Sequence, residues 1–191
     1  MMPPVLTKRL ILRPWEERDR DVFYEINSDP QVMEFFPFRR DRQQSDAFFE
    51  TLIVRQNERI TFSALELRET GECLGFCGLH DGDVEPAFPA GTVEIGWRLV
   101  TRAWGKGYAT EGARAALEYG FEALGLPEIV SFAVHDNHRS TSVMERIGLS
   151  RDPERDFDHP HVPDTHPHLK RHVVYRMTAE DWRTKKGGQH G

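Results

Sequence analysis

The stretch RAWGKGYATE, Arg102 to Glu111, lies between an apolar run, TVEIGWRLV (92–100), and a helical pattern, EGARAALEYGFEAL (111–124). A strand, a glycine-bearing turn and a helix in that order present backbone N–H groups to an anion at a helix N-terminus. Three phosphate-binding readings differ in what must surround the glycines. A nucleoside-triphosphate loop needs GxxxxGK followed by Ser or Thr, whereas Lys106 lies between the glycines and is followed by Gly107. A dinucleotide fingerprint needs a third glycine where Thr110 stands, and an acidic residue at a later strand end that is not well placed here. The pattern R-x-x-G-x-G, spelled by Arg102, Gly105 and Gly107, fits in full.

The surrounding composition narrows the class. The chain has 191 residues, long enough for one domain with a substantial core. Its 25 basic and 31 acidic residues give a net charge of −6, which argues against a nucleic-acid surface spread over the whole protein. No apolar run approaches the roughly 20 residues of a membrane span, and MMPPVLTKRL lacks the apolar core of a signal peptide. Cys73 and Cys77 lie four apart in a strand-like segment, too far apart to bond at roughly 3.3 Å per residue. A reduced, cytoplasmic setting is expected.

Taken in order, VLTKRLILRPW (5–15) reads as a first strand and EERDRDVFYEINSDP (16–30) as a helix stopped by Pro30. QVMEFFPFRR (31–40) is short, aromatic and broken by Pro37: core under a loop, or the lining of a substrate cleft. DRQQSDAFFETLIVRQN (41–57) is a second helix, and ITFSALELRETGECLGFCGLH (60–80) a hairpin turning at Gly71. An acidic Gly/Pro loop precedes the strand TVEIGWRLV, where Gly96 suggests a bulge or a close backbone approach. After the long helix come an apolar strand, EIVSFAVHD (128–136), and a short helix, NHRSTSVMERIGL (137–149). SRDPERDFDHPHVPDTHPHLK (150–170) is dense in His, Pro and Asp and reads as an ordered excursion or a flexible loop. A last strand, HVVYRM (172–177), and one helical turn, TAEDWR (178–183), complete a single domain over residues 1–184, with 185–191 expected to fray. This order makes an α/β (α+β) chain with a mixed central sheet and helices on both faces.

Several of these stretches together resemble the GNAT superfamily of acyl-CoA-dependent N-acyltransferases, in particular the branch that includes ribosomal-protein N-terminal alanine acetyltransferases. The resemblance begins at TKRLILRP, runs through VEIGW and RAWGKGYATEG, and includes Asn137 and Ser140 with ERIGL closing their helix. It implies a mostly antiparallel sheet with a splayed strand pair, acetyl-CoA as co-substrate without a metal, and direct attack by a primary amine in a ternary complex. It implies also that Leu99 and Val100 pair with the pantetheine arm through their backbone, and that Asn137 hydrogen-bonds it. At the turn, the N–H groups of Gly105, Lys106, Gly107, Tyr108, Ala109 and Thr110 are the expected pyrophosphate donors, with Arg102 and Lys106 supplying full charge.

An amine attacking a thioester must be neutral. That costs roughly 4 kcal/mol for a lysine-like amine at neutral pH and about 1 for an α-amine. Glu94 is the candidate base, acting through water as the resemblance implies. Many GNAT enzymes carry an acidic tyrosine seven residues after the asparagine, where this chain has Met144. The resemblance offers Ser140 as the donor to the departing sulfur instead, and a thiol of pKa near 8.5 leaves without a strong acid. Nothing in CLGFC activates a cysteine for a covalent route. A non-catalytic acyl-CoA-binding module on the same fold is the alternative that Met144 motivates.

The acceptor is an amine: a protein N-terminus, an amino acid, a polyamine or another small amine. Phe35 and Phe36 are the candidate substrate-binding residues, and Asp29, Glu34, Asp81, Asp83 and Glu85 are placed to attract a cation. The spacing of His159, His161, His166, His168 and His172 matches no metal-ligand motif. Trp104, Trp182 and this His-rich segment are the surfaces a homodimer interface or a lid would use.

Overall fold

A computed structural model describes residues 3–58, 60–82 and 84–188. The chain divides into two compact units, residues 1–80 with 96–115 and residues 81–95 with 116–191.

In the first unit, β1 (Val5–Leu6) and β2 (Leu10–Arg13) form a tight hairpin, where one continuous strand was expected. Thr7 makes the turn: its N–H donates to Leu10 O (2.9 Å), and its Oγ1 accepts the Leu10 N–H (2.9 Å). β2 then pairs antiparallel with β3 (Phe62–Leu67), and β3 with β4 (Glu72–Asp81) through the turn at Gly71. The β3–β4 register shifts between Ala64 and Glu66, and Gly75, at φ +129°, takes up the extra residue. A Cβ there would collide with the Arg98 carbonyl on β5 (Val93–Leu99), so the bulge belongs to Gly75. At Gly96 the close neighbour is the Phe62 ring, 3.1 Å from an added Cβ.

Two helices complete this unit. α1 (Arg20–Ser28) and α2 (Arg42–Arg55) carry the expected inward face, with Phe23, Ile26 and Phe49 fully buried. Asp41 caps α2 by accepting the Gln44 N–H (2.8 Å), while the Gln44 side chain returns the bond to Asp41 N–H. α3 (Tyr108–Glu118) starts here and continues as a π-helical turn over Tyr119–Ala123.

In the second unit, the start of β5 runs parallel to β6 (Glu128–Val134), with Glu94 opposite Val130. β6 pairs antiparallel with β9 (Arg171–Thr178) along its whole length. α4 (His138–Arg146) follows β6 and stops at Gly148, φ +91°. The His-rich stretch is ordered: β7 (Ser150–Arg151) and β8 (Phe157–Asp158) both pair with β9. Val84, Phe88, Val130, Phe157 and Val174 pack as one cluster. The terminal helix α5 (Ala179–Gly188) is longer than the single turn expected, so 185–188 are helical where fraying was expected. Residues 189–191 lie outside the described part. The secondary structure is therefore mixed, and the sheet mostly antiparallel.

Candidate active site

In the first unit, β5 ends at Leu99, a 3-10 turn covers Thr101–Ala103, and the Gly-bearing turn leads into α3. Gly105 and Gly107 both adopt left-handed backbone, φ +72° and +78°. No atom lies within 4 Å of a Cβ added at Gly105, and the nearest to one at Gly107 is Arg9 Nη2 at 3.5 Å. Conformation rather than packing therefore demands glycine at both positions. The Glu111 N–H donates to Gly107 O (3.0 Å), the first intrahelical bond. The N–H groups of Tyr108, Ala109 and Thr110 thus fall in the first turn, ahead of the i→i−4 ladder and at the positive end of the helix dipole. Gly105, Lys106 and Gly107 are exposed and Tyr108 to Thr110 half-buried, so the turn's donors lie at the surface.

A brace absent from the sequence reading holds this turn. Glu111 Oε1 accepts the Arg9 N–H (2.7 Å) and the Thr7 hydroxyl (2.6 Å), and Oε2 accepts Arg9 Nε (2.7 Å). Arg9 Nη1 donates to Lys106 O (2.9 Å), and the guanidinium lies 4.7 Å from the centre of the Tyr108 ring. Burial pushes the Glu111 carboxyl up, but the bonds from Thr7 and Arg9 outweigh it and hold its pKa below the ordinary value. The β1–β2 hairpin is thereby tied to the turn across about 100 residues of sequence.

Two expectations are narrowed. Arg102 is engaged by Glu25 (2.6 Å) and Glu72 (2.8 Å), so its charge is already neutralised within this unit. Val100 donates its N–H to Leu74 O (2.9 Å) and accepts the Ala103 N–H (3.0 Å), so that N–H is already used. Leu99 O likewise accepts Trp104 Nε1 (2.9 Å). Trp104 is accordingly half-buried and hydrogen-bonded, not a bare surface ring.

In the second unit, Glu94 is half-buried at the start of β5. Gly82 makes room for it: a Cβ on Gly82 would stand 2.7 Å from Glu94 Cβ. One step further on, Ile95 O accepts the Ser131 hydroxyl (2.9 Å). Asn137 is the N-cap of α4, its Oδ1 accepting the Ser140 N–H (3.2 Å). The cap uses the acceptor end of the carboxamide and leaves its NH2 as the donor end. Ser140 is half-buried in the first turn of α4, and Met144 is fully buried. Asp81 and Glu85 are exposed, and Asp83 lies outside the described residues. Trp182 stacks on Phe121 (5.5 Å) and donates to Glu122 Oε1 (3.2 Å).

The aromatic segment of the first unit carries more than apolar lining. Asp29 Oδ1 accepts the Gln31 N–H (2.7 Å), a turn-forming role. Phe35 is half-buried. Phe36, 38% exposed, lies 4.3 Å beneath the Arg98 guanidinium. Among the described residues no group of three or more His, Cys, Asp or Glu is arranged to hold a metal ion. Both cysteines are free and buried, and burial pushes each thiol up to about 12. Among the described residues, no helix is long and apolar enough to cross a membrane.

A strand, a left-handed glycine turn and a helix start therefore follow one another on a mostly antiparallel sheet. Residues 9–150 match the family model described as Acetyltransferase (GNAT) domain, and the chain belongs to that family. It is an acetyltransferase. It is 31% identical over 162 residues to the Bacillus licheniformis protein named uncharacterized N-acetyltransferase p20, covering 81% of this chain and 89% of that one. Against the Aspergillus fumigatus protein named FsC-acetyl coenzyme A-N(2)-transacetylase, identity is 30% over 186 residues, covering 94% and 78%. The solved acetyltransferase from Agrobacterium tumefaciens str. C58 superposes with a TM-score of 0.71 at 30% identity, covering 93% of this chain and 95% of that one.

Proposed function

We propose that this chain moves an acetyl group from acetyl-CoA to a primary amine by direct attack within a ternary complex. The observation that carries the reading is the Gly105–Thr110 turn: two left-handed glycines, a helix N-terminus behind them, and the Arg9–Glu111 brace holding the whole. This turn suits a pyrophosphate, because the N–H groups of a helix's first turn have no intrahelical partner and glycines ahead of it leave room for an anion to approach. Lys106, exposed in the turn, adds a full charge. The family match draws on both units, which supports treating residues 1–184 as one N-acetyltransferase domain.

Acetyl-CoA, when bound, supplies the acetyl group as a thioester. Of the chain's own residues, the donors of Gly105 to Thr110 would hold the phosphates and the end of β5 at Leu99 would orient the pantetheine arm. As the resemblance implies, the Asn137 NH2 would hydrogen-bond that arm. Glu94 would take the amine's proton through water, a demand of about 1 kcal/mol for an α-amine against roughly 4 for a lysine-like one. Ser140 would donate to the departing sulfur in place of the tyrosine that Met144 replaces. The buried thiols of Cys73 and Cys77, pushed up to about 12, take no part.

The test is thiol release from acetyl-CoA across a panel of amines and peptides, with isothermal titration of CoA into wild type and Gly107→Val. Turnover with at least one amine, and CoA affinity lowered by at least about tenfold in the variant, is expected. Intact CoA affinity in Gly107→Val removes the central support.

A further inference from the structure

Arg98 on β5 and Arg40, after the aromatic segment of the first unit, converge on one neutral atom. Arg98 Nη1 donates to Asn27 Oδ1 at 2.8 Å, and Arg40 Nη1 to the same oxygen at 3.1 Å. Asn27 is itself wholly buried, its Nδ2 spent on Phe23 O (2.7 Å), so the carboxamide is fixed with its oxygen toward the two cations. Aromatic faces supply the remaining company: Arg98 lies 4.3 Å from the Phe36 ring and 5.4 Å from Phe76, and Arg40 lies 4.6 Å from Phe38.

Almost every other described arginine that hydrogen-bonds through its side chain in this unit meets a carboxylate. Arg9 meets Glu111, Arg13 meets Asp19 and Glu66, and Arg102 meets Glu25 and Glu72. Arg98 and Arg40 have no carboxylate within ion-pair distance among the described residues. Burial, reinforced by the neighbouring Arg40, pulls the Arg98 pKa down to about 9, and burial alone lowers that of Arg40. Two like charges held side by side on one amide oxygen are costly, and an oxyanion arriving between them relieves both repulsion and desolvation. Arg98 and Arg40 are only half-buried, and the rings of Phe36 and Phe38 beside them are 38% and 44% exposed. The planar fork of each guanidinium suits a carboxylate.

We propose that Arg98 and Arg40, positioned by Asn27, form the subsite for a carboxylate carried by the acetyl acceptor. The acceptor class is then an amine that also bears an anion, such as an amino acid or a short peptide, rather than a polyamine. The inference rests on the acetyl-transfer reading for the identity of the ligand, but not for the existence of the site.

The test therefore has one arm independent of turnover. Thermal melting is measured with N-acetylglycine and with N-acetylglycinamide at matched ionic strength. At about ten times its Kd the carboxylate should raise Tm by roughly 3–5 °C, and the amide should not. Arg98→Met and Arg40→Met should each abolish the shift; removing a charge that has no carboxylate partner should leave either variant melting no lower than wild type. Arg98→Lys, which keeps the charge but loses the fork, should retain a reduced shift. Equal response to acid and amide in wild type overturns the proposal, as does a shift that survives in both Met variants. In the second arm, a dipeptide should be acetylated with kcat/KM at least about tenfold above its C-terminal amide. Arg98→Met should erase that ratio while leaving the KM for acetyl-CoA unchanged. A rise in that KM overturns the proposal by assigning the pair to the CoA phosphates. A carboxylate-specific melting shift with no acetylation of any amine would sustain the anion site and sink acetyl transfer.

Discussion

Arg13 shows at the scale of one residue how strongly this chain depends on pairing its buried charge. The side chain is 7% exposed, and its guanidinium spans Asp19 (2.6 and 2.9 Å) and Glu66 (2.7 Å), both buried themselves. Removing it strands the Asp19 carboxylate out of water and leaves Glu66 with only Arg18 (2.8 Å), so Arg13→Ala should lose about 3–5 kcal/mol of stability by urea denaturation. A loss under about 1 kcal/mol would show that water reaches the pair. Gly107 depends on backbone instead: at φ +78° any L side chain is strained by about 1–2 kcal/mol before a ligand arrives. The cysteines give a residue-scale test of mechanism. Incubation with acetyl-CoA without acceptor should leave the protein mass unchanged, since neither thiol ionises appreciably at neutral pH; a stable acetyl adduct on Cys73 or Cys77 would contradict direct transfer.

Among the elements, the β1–β2 hairpin serves the turn that precedes α3. Glu111→Gln weakens the Arg9 pair, of which Arg9 is 42% exposed, so stability should fall by only about 0.5–1 kcal/mol. CoA affinity should fall more than that, because the lost contact positions Lys106 and Tyr108. Since the Glu111 pKa is lowered in the fold, the brace acts above the unfolded carboxyl value and is lost as pH falls through the folded one. The His-rich excursion behaves differently. His159 packs 4.9 Å from His172 and 5.8 Å from Phe157. Burial, with repulsion from His172 and His161, lowers its pKa to about 4. Between the unfolded value and about 4 the unfolded chain binds more protons, so stability rises with pH across that window. Lowering pH from 7 to 5 should cost about 1 kcal/mol after allowing for partial exposure, and His159→Phe should flatten the Tm–pH profile there. An unchanged slope in that variant would place the titration elsewhere.

Across the whole molecule, sequence periodicity delivered the order of elements because strands and helices are local: apolar spacing, Pro30, Gly71, Asp41 and Gly148 each act within a few residues. It also delivered the family, since the motifs at Arg102–Thr110 and Asn137–Ser140 carry their own spacing. It missed the β1–β2 hairpin, because Thr7 turns the chain with a hydroxyl bond that no hydropathy pattern encodes. It read the His-rich stretch as an excursion without seeing that β7 and β8 borrow their order from β9. Arg98 was visible as a lone base in the apolar run TVEIGWRLV, yet only the fold shows which partners it meets and that no carboxylate is among them. By itself, then, the sequence determined that Gly105 and Gly107 would shape the turn ahead of α3, because backbone freedom is a property of the residue. Only the tertiary structure decided which charges are neutralised, Arg102 and Arg9, and which are held waiting on a neutral amide, Arg98 and Arg40. Electrostatic pairing depends on distance in space, and the residues concerned lie tens of positions apart along the chain.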